Sequence, residues 1–209
     1  MGIGKKIDNY EKSMLKFFSM EYDGLIWCEL GCQVSKVGAK RPAKNVYKSL
    51  GVNHTSIDIN GLHGSLPIDL DNPVPSELLD KFDVVTNYGT IEHVNNQYQV
   101  WKNVHDMCKV GGIMIHGLPM EGTWYNHCRY YYSLKLTEVL ADRCGYNLYD
   151  NKILNFSIGK RKQLLVMATY LKTSESSFLS EKEFKELPLF DTGDTSRTGN
   201  YVPTGRRKK

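Results

Sequence analysis

The order of apolar and polar positions alternates between the two periods typical of strands and helices. Apolar runs of strand length occur at 24–30, 54–60, 65–70, 82–88 and 113–118. Helical spacing predicts α-helices at 5–22, 42–50, 95–109 and 133–144. Two more strands, at 146–154 and 163–171, flank a Gly-Lys-Arg turn and are predicted to pair as a hairpin.

This order predicts an α/β fold with a mostly parallel sheet between two layers of helices and an antiparallel C-terminal hairpin edge. Residues 23–172 are predicted to form one domain, with the helix at 1–22 packed on it. Only about six residues separate the strand at 54–60 from the run at 65–70. A parallel crossover normally needs a dozen or more, so we expect the third strand to be a stub.

Residues 173–209 are predicted to be a C-terminal extension, because apolar density falls there while Ser, Thr, Gly and Lys increase. We expect its basic end, roughly the last 20 residues, to be disordered. The net charge of +4 comes from 27 basic and 23 acidic residues, and residues 206–209 alone carry four positive charges. The neutral remainder disfavours nucleic acid as a partner. The basic end is either a solvated terminus or a contact to an anionic surface.

The five cysteines have irregular spacing and do not indicate zinc or a disulfide framework. No secretory signal is recognisable at residues 1–20, and no apolar run reaches the ~20 residues that span a bilayer. The sequence therefore predicts a cytoplasmic protein without a membrane partner, and it leaves the oligomeric state open.

Candidate ligand-binding residues follow the predicted strands, because ligands of open parallel sheets bind beyond the carboxyl ends of the strands. Asp58 is suited to accept both hydroxyls of a ribose, although Asp-Ile-Asn-Gly is also good turn chemistry. Glu29 is suited to a positively charged ligand. The candidates, in chain order, are Glu29, Gly31, Cys32, Gln33, Asp58, Ile59, Asp69, Leu70, Asn87, Tyr88 and Gly89.

A nicotinamide-dependent oxidoreductase is a competing function for a sheet of this kind. Such proteins place a pyrophosphate on a Gly-x-Gly-x-x-Gly loop at a helix N-terminus. That loop is missing here, and the acidic Glu29 at the corresponding place would repel a pyrophosphate.

The ordered segments WCELG, SIDIN, PIDL, FDVVTNYGTIEHV and KVGGIMIHGLP resemble the class I S-adenosylmethionine-dependent methyltransferases, and the small-molecule branch most closely. The resemblance covers roughly residues 24–154. It implies a Rossmann-like three-layer sandwich that binds S-adenosylmethionine. It also implies that Glu29 and Gly31 hold the methionine part, Asp58 the ribose and Asp69 the adenine. Gln33 and Ser35 stand where the family usually has further glycines.

Catalytic and substrate-binding candidates come from the loop after the fourth strand and from the aromatic segment 122–132. Histidine is a common general base near neutral pH, so His93 and His127 are the catalytic candidates and His116 is a weaker one. Glu92, Tyr125 and Tyr130 are candidates for substrate contact. Glu92 and His93 are equally consistent with a purely structural role in shaping their loop.

A metal-assisted branch of the family carries Glu-x-x-Glu-His, and Gly89 occupies the first Glu position here. The sequence therefore predicts no metal. The lack of Asn-Pro-Pro-Tyr after the fourth strand argues against methylation of adenine N6 or glutamine. The predicted function is methylation of a small molecule, for example a hydroxyl of a sugar or another metabolite. The alternatives are a non-catalytic S-adenosylmethionine-binding module and a nucleic-acid methyltransferase that uses the basic tail.

Overall fold

The computed structural model describes residues 2–156 and 162–199. Within these residues, the α-helices are α1 (Lys5–Phe17), α2 (Ala43–Ser49), α3 (Gln97–Met107), α4 (Leu134–Cys144) and α5 (Glu181–Phe184). The strands are β1 (Ile26–Leu30), β2 (Val34–Ser35), β3 (Arg41–Pro42), β4 (Asn53–Ile57), β5 (Phe82–Tyr88), β6 (Cys108–Pro119), β7 (Tyr130–Tyr131), β8 (Asn147–Asn155), β9 (Leu164–Leu171) and β10 (Phe190–Asp191).

Six strands form the central sheet in the order β4-β1-β5-β6-β9-β8. The first four run parallel, and β9 and β8 add an antiparallel edge. The predicted α/β fold with its antiparallel hairpin is therefore confirmed. Because β1 and β5 are neighbours near the middle of the sheet, the segments that follow them meet at the same edge.

Successive side chains of a strand point to opposite faces, and each face of the sheet is covered by its own helices. Trp27 of β1 packs with Ile7 of α1 and Tyr47 of α2 on one face. The next residue, Cys28, packs with residues of α3 and α4, such as Val104 and Leu140, on the other. This two-sided burial explains why the strands read as continuous apolar runs instead of alternating ones.

Local signals set the ends of the helices close to the predicted positions. The Ser133 side chain accepts a hydrogen bond from the backbone N–H of Leu136, and Gly145 ends α4 in the left-handed conformation at φ 66°. Helix α1 is shorter than the predicted 5–22, since Phe18 caps it and Ser19 has a φ of 53°. Such a backbone conformation cannot continue a right-handed helix.

The third strand, expected as a stub at 65–70, is reduced to a single parallel bridge between Ile57 and Leu66. The backbone N–H of Leu66 bonds to the carbonyl of Ser56, and the N–H of Asp58 bonds to the carbonyl of Leu66. Pro67 follows and has no N–H to extend the ladder. Strand β4 is consequently the edge of the sheet.

The part of the extension at 173–199 packs on the domain. Leu179, Phe184 and Leu187 are buried, and β10 pairs antiparallel with β7. Disorder predicted for roughly the last 20 residues is wrong for 190–199, where β10 and a 3-10 turn (Thr195–Arg197) form. Residues 200–209, which include the basic end, lie outside the described residues. No helix in the described part of the chain is long and apolar enough to span a membrane.

Candidate functional site

A cavity lies beyond the carboxyl ends of β1, β4 and β5, where the topology of the sheet predicts a ligand. Its walls come from the loops that follow these strands, from the segment before β7 and from the C-terminal extension. The lining residues are Gly31, Cys32, Gln33, Ile57, Asp58, Ile59, Asn60, Ile68, Asp69, Leu70, Asp71, Gly89, Thr90, His93, Val94, His127 and Gly199.

Gly31 is required by the backbone at the end of β1. Its φ is 78°, and a Cβ at this position would come within 2.4 Å of the Thr90 Oγ1. Thr90 occupies this place because its hydroxyl donates to the carbonyl of Leu30 at 2.9 Å. The loop after β1 and the loop after β5 are therefore in direct contact at the cavity wall.

Gln33, in the position of a second loop glycine, is only 4% exposed. Its side-chain amide donates to the Thr90 hydroxyl at 3.3 Å and to the Leu30 carbonyl at 3.4 Å. The side chain thus fills space that a glycine would leave open. Ser35 lies beyond the loop in β2, which pairs with β3 before α2 begins, so these residues insert a small hairpin instead of continuing a glycine-rich loop.

Glu29 lies behind the loop and not on the cavity surface. It is 1% exposed, and its carboxylate accepts from the backbone N–H of Gln33 at 3.4 Å. Burial raises the pKa of Glu29 to about 8. A protonated carboxyl at neutral pH supports the loop and is poorly suited to attract a cation.

Asp58 and Asp69 both line the cavity. The Asp58 carboxylate accepts from the backbone N–H of Cys32 at 2.8 Å and of Asn60 at 3.2 Å, so it ties the loop after β1 to the loop after β4. Asp69 accepts from the backbone N–H of Asp71 at 3.0 Å and is exposed. Both the turn role and the ligand role are compatible with the position of Asp58, since a carboxylate has about four acceptor sites.

Asn87 shapes the loop that follows β5 without lining the cavity. Its side-chain oxygen accepts from the backbone N–H groups of Thr90 and Ile91 at 3.1 and 3.2 Å. Tyr88 points to the opposite face of the sheet, where its hydroxyl donates to Glu11 at 3.0 Å. Gly89, the residue after Tyr88, lines the cavity.

Glu92, His93 and His127 form a compact group at the cavity. Glu92 is fully buried, and its Oε1 lies 3.7 Å from the Nε2 of His127. Burial acts to raise the pKa of Glu92, but His127 and His93 outweigh it, so the pKa is below its usual value. Burial lowers the pKa of His93 despite the neighbouring Glu92. At neutral pH this arrangement favours an ionised Glu92 and a neutral His93.

The extension contributes to the site through its backbone. The His93 Nδ1 lies 2.9 Å from the carbonyl oxygen of Arg197, and the N–H of Gly199 donates to the His93 carbonyl at 2.8 Å. Because a carbonyl only accepts, the Nδ1 carries the proton and the Nε2 keeps its lone pair. Arg197 and Gly199 were not predicted, since they act through backbone groups, which carry no residue signature.

Three predicted residues lie away from the cavity. Tyr125 is 87% exposed. Tyr130 is buried and donates its hydroxyl to the carbonyl of Asn95 at 2.8 Å. His116 is buried against Trp101, with ring centroids 4.6 Å apart, and burial lowers its pKa to about 3. A histidine with so low a pKa and no access to the cavity is not positioned as a general base.

Comparisons with known proteins rest on structure alone. No protein-family model matches the sequence, and no curated protein is detectably similar to it. The structure resembles 1,6-didemethyltoxoflavin-N1-methyltransferase of Burkholderia thailandensis, solved with its substrate and S-adenosylhomocysteine. The TM-score is 0.55 at 11% identity, over 78% of this chain and 76% of that chain.

Two further structures show the range of proteins with this fold. The cyclase SpnF has a TM-score of 0.56 at 14% identity, over 80% of this chain and 82% of that chain. A 16S rRNA adenine methyltransferase of Catenulisporales acidiphilia has a TM-score of 0.51 at 11% identity, over 78% and 91%. At such identities the likeness is one of fold. This chain has the Rossmann-like fold of the class I S-adenosylmethionine-dependent methyltransferases.

Proposed function

We propose that this protein is an S-adenosylmethionine-dependent methyltransferase that acts on a hydroxyl of a small molecule, such as a sugar or another metabolite. The observation that carries the proposal is the composition of the cavity. It brings Gly31 after β1, Asp58 after β4 and Asp69 of the β4–β5 crossover together with the imidazoles of His93 and His127. Structural neighbours hold S-adenosylhomocysteine or S-adenosylmethionine in their own sites.

The cofactor roles follow from the chemistry of each lining residue. Gly31 lets the methionine part approach the backbone closely. Asp58 has acceptor sites left for the ribose hydroxyls beside its two backbone bonds, and Asp69 can accept from the exocyclic amine of adenine. Glu29 and Asn87 support the loops that carry these groups.

Methyl transfer requires positioning more than covalent help from the protein. When bound, S-adenosylmethionine would supply an electrophilic methyl group to the acceptor oxygen and would leave as the neutral thioether S-adenosylhomocysteine. The acceptor proton must leave, and a neutral imidazole in the cavity can take it. His93 is suited to this role because the Arg197 carbonyl leaves its Nε2 unprotonated.

Binding of the cofactor is tested by calorimetry with S-adenosylmethionine and S-adenosylhomocysteine. We expect both to bind, and Asp58→Ala to weaken binding roughly tenfold or more, since a hydrogen bond to a charged group is worth about 1.5–3 kcal/mol. Asp142→Ala, an exposed position on α4, is the matched control. An unchanged affinity in Asp58→Ala would leave Asp58 with a turn role only, and no binding at millimolar cofactor would refute the proposed function.

Turnover is tested with cofactor labelled on the methyl group and a panel of hydroxylated metabolites. A second candidate, a non-catalytic cofactor-binding module, is favoured by the buried Gln33 side chain in the loop. Binding of both ligands without label transfer to any acceptor would support it. Nicotinamide dinucleotide in place of S-adenosylmethionine serves as the negative ligand.

A nucleic-acid acceptor is the alternative to a small molecule, because one structural neighbour is an rRNA methyltransferase. The basic residues that would serve it, 206–209, lie outside the described residues. Binding of RNA at low salt that falls steeply with salt and disappears without residues 206–209 would support this alternative.

A further inference from the structure

Glu92, His93 and His127 are three potential metal ligands that converge at one point. Each offers one ligand atom, and the three atoms lie within 4.8 Å of one another. Two ligands that are ~2.0–2.1 Å from a tetrahedral ion lie ~3.4 Å apart. The 3.7 Å between the Glu92 Oε1 and the His127 Nε2 is already close to this spacing, so small side-chain rotations would close the group around an ion.

The Glu92 carboxylate is the strongest sign that a ligand binds between these three side chains. The residue is 0% exposed, and neither carboxylate oxygen has a hydrogen-bond partner among the described residues. An ionised carboxylate that is buried without a hydrogen bond is costly, and buried charges are normally in close hydrogen-bonded pairs or coordinate metals. The His127 Nε2 is too far away at 3.7 Å for a hydrogen bond.

His93 is oriented as metal-binding histidines usually are. Such residues donate their second ring N–H to a carboxylate or a backbone carbonyl, which fixes the tautomer and the ring plane. The Nδ1 of His93 donates to the carbonyl of Arg197 at 2.9 Å, and this tautomer places the lone pair of the ring on Nε2. The Arg197 carbonyl belongs to the C-terminal extension and lies 104 positions along the chain from His93.

The donor set selects the type of ion. Two imidazole nitrogens and one carboxylate oxygen suit zinc and other divalent transition metals, whereas magnesium and calcium prefer oxygen ligands. Three protein ligands with an open position are typical of catalytic zinc sites, including those with two histidines and a glutamate. Here the open position would face the cavity, since His93 and His127 both line it.

We propose that Glu92, His93 and His127 bind one divalent transition-metal ion of the zinc type at the wall of the cavity. Gly89 in the first Glu position of Glu-x-x-Glu-His predicted no metal. The structure brings a further residue, His127, to Glu92 and His93 from a distant part of the chain. The bound ion would coordinate the acceptor oxygen and lower the pKa of its hydroxyl. In that case both histidines are ligands, and the acidified hydroxyl would release its proton to solvent water in the open cavity. This catalytic role rests on the proposed function, while metal binding itself does not.

The test measures metal binding by the full-length protein without cofactor. After treatment with a chelator and dialysis, the protein is titrated with Zn²⁺ by calorimetry and with Co²⁺ by visible absorption. We expect one equivalent of either metal, with Co²⁺ absorption bands typical of a site of four ligands. Glu92→Gln and His127→Asn should each weaken Zn²⁺ binding roughly 100-fold or more, because even the partners that orient ligands cost 10–100-fold when mutated.

The matched control is His63→Asn, which removes an exposed imidazole from a loop position with a φ of 52° that asparagine tolerates. It should bind metal like the wild type. Circular dichroism checks folding, and His127→Asn decides the question if Glu92→Gln fails to fold. The proposal is overturned if the wild-type protein takes up no Zn²⁺ or Co²⁺, or if His127→Asn binds them as tightly as His63→Asn. Cofactor calorimetry separates this result from the proposed function, which fails only when S-adenosylmethionine and S-adenosylhomocysteine do not bind.

Discussion

At the residue scale, Glu11 shows how a single side chain of α1 is tied to the sheet. Its carboxyl is 2% exposed and accepts the hydroxyls of Tyr22, Tyr47 and Tyr88 at 3.1, 2.7 and 3.0 Å. Burial outweighs these hydrogen bonds and raises the pKa of Glu11 to about 7. The same network explains why Tyr88, predicted to lie at the cofactor, points to the other face of the sheet.

Glu11 should make the protein less stable as the pH rises. The folded state holds the proton up to a pH of about 7, whereas the unfolded chain releases it near 4.5. The stabilisation is therefore complete below pH 4.5 and is lost as the pH rises through 7, by about 3 kcal/mol in total. In Glu11→Gln this loss is absent.

The measurement is the free energy of unfolding in urea from pH 5 to pH 8 for the wild type and Glu11→Gln. The difference between them should shift against the wild type as the pH rises. His54, His105 and His116, whose pKa values are lowered by burial, affect both proteins equally. Glu121→Gln, at an exposed position, should follow the wild type. Parallel profiles for Glu11→Gln and the wild type would show that Glu11 is ionised in both states.

At the scale of elements, the extension is part of the site and not an appendage. Arg129 holds it with a two-pronged ion pair, in which the Nε and Nη2 donate to the Asp191 carboxylate oxygens at 2.8 and 2.7 Å. Beyond this pair the chain passes His93, where the Arg197 carbonyl and the Gly199 N–H make their bonds. The position of the His93 ring thus depends on a segment that is attached to the domain through the Arg129–Asp191 ion pair near the surface.

Arg129→Ala should loosen this segment without unfolding the domain. An exposed ion pair contributes about 0–1 kcal/mol, so the global stability should change little. Amide hydrogen exchange of residues 192–199 should become several-fold faster, because local opening is no longer opposed by the pair. Lys185→Ala, which removes an exposed ion pair between Glu181 of α5 and the residue that follows the helix, is the control and should leave that exchange unchanged. Unaltered exchange in Arg129→Ala would mean that the β7–β10 pairing holds the segment alone.

The elements of the fold were predictable where local chemistry defines them. Ser133 and Gly145 mark both ends of α4, and the apolar run of β5 leaves no alternative to a buried strand. Asp58 after β4 was predicted at the cavity because the sheet topology brings strand ends together, whereas Glu29 lies inside β1 and is buried behind the loop. The metal-ligand group was not, because His127 lies in an irregular segment and the Arg197 carbonyl has no sequence signature. The third strand is reduced to one bridge, from Leu66 to Ile57, because Pro67 has no N–H to continue the ladder.

At the scale of the whole molecule, β4 is the edge strand of the central sheet, and no further strand pairs beyond it within residues 2–156 and 162–199. The crossover from β4 to β5 runs through loops with two 3-10 turns, Leu62–Gly64 and Ser76–Leu78. Asp69, proposed to bind the adenine amine, is exposed on this crossover. Ile59 and Asn60, which also line the cavity at this end, are exposed as well, so this wall of the cavity reaches solvent.

A cofactor bound as proposed would have the exocyclic amine of its adenine beside Asp69, at this exposed wall of the cavity. S-adenosylhomocysteine with an alkyl group on the exocyclic amine keeps one N–H for Asp69, so its affinity should remain within roughly tenfold of the parent compound, since about 1.4 kcal/mol corresponds to tenfold. An analogue methylated on the ribose 2′-oxygen loses a hydrogen bond to Asp58 and should bind more weakly. Competition calorimetry compares the two, and a larger loss for the adenine analogue would place the adenine elsewhere. Because the sheet ends at β4, the adenine amine would lie near solvent. A fluorophore or an affinity resin can then be attached at this amine in order to capture and identify the methyl acceptor.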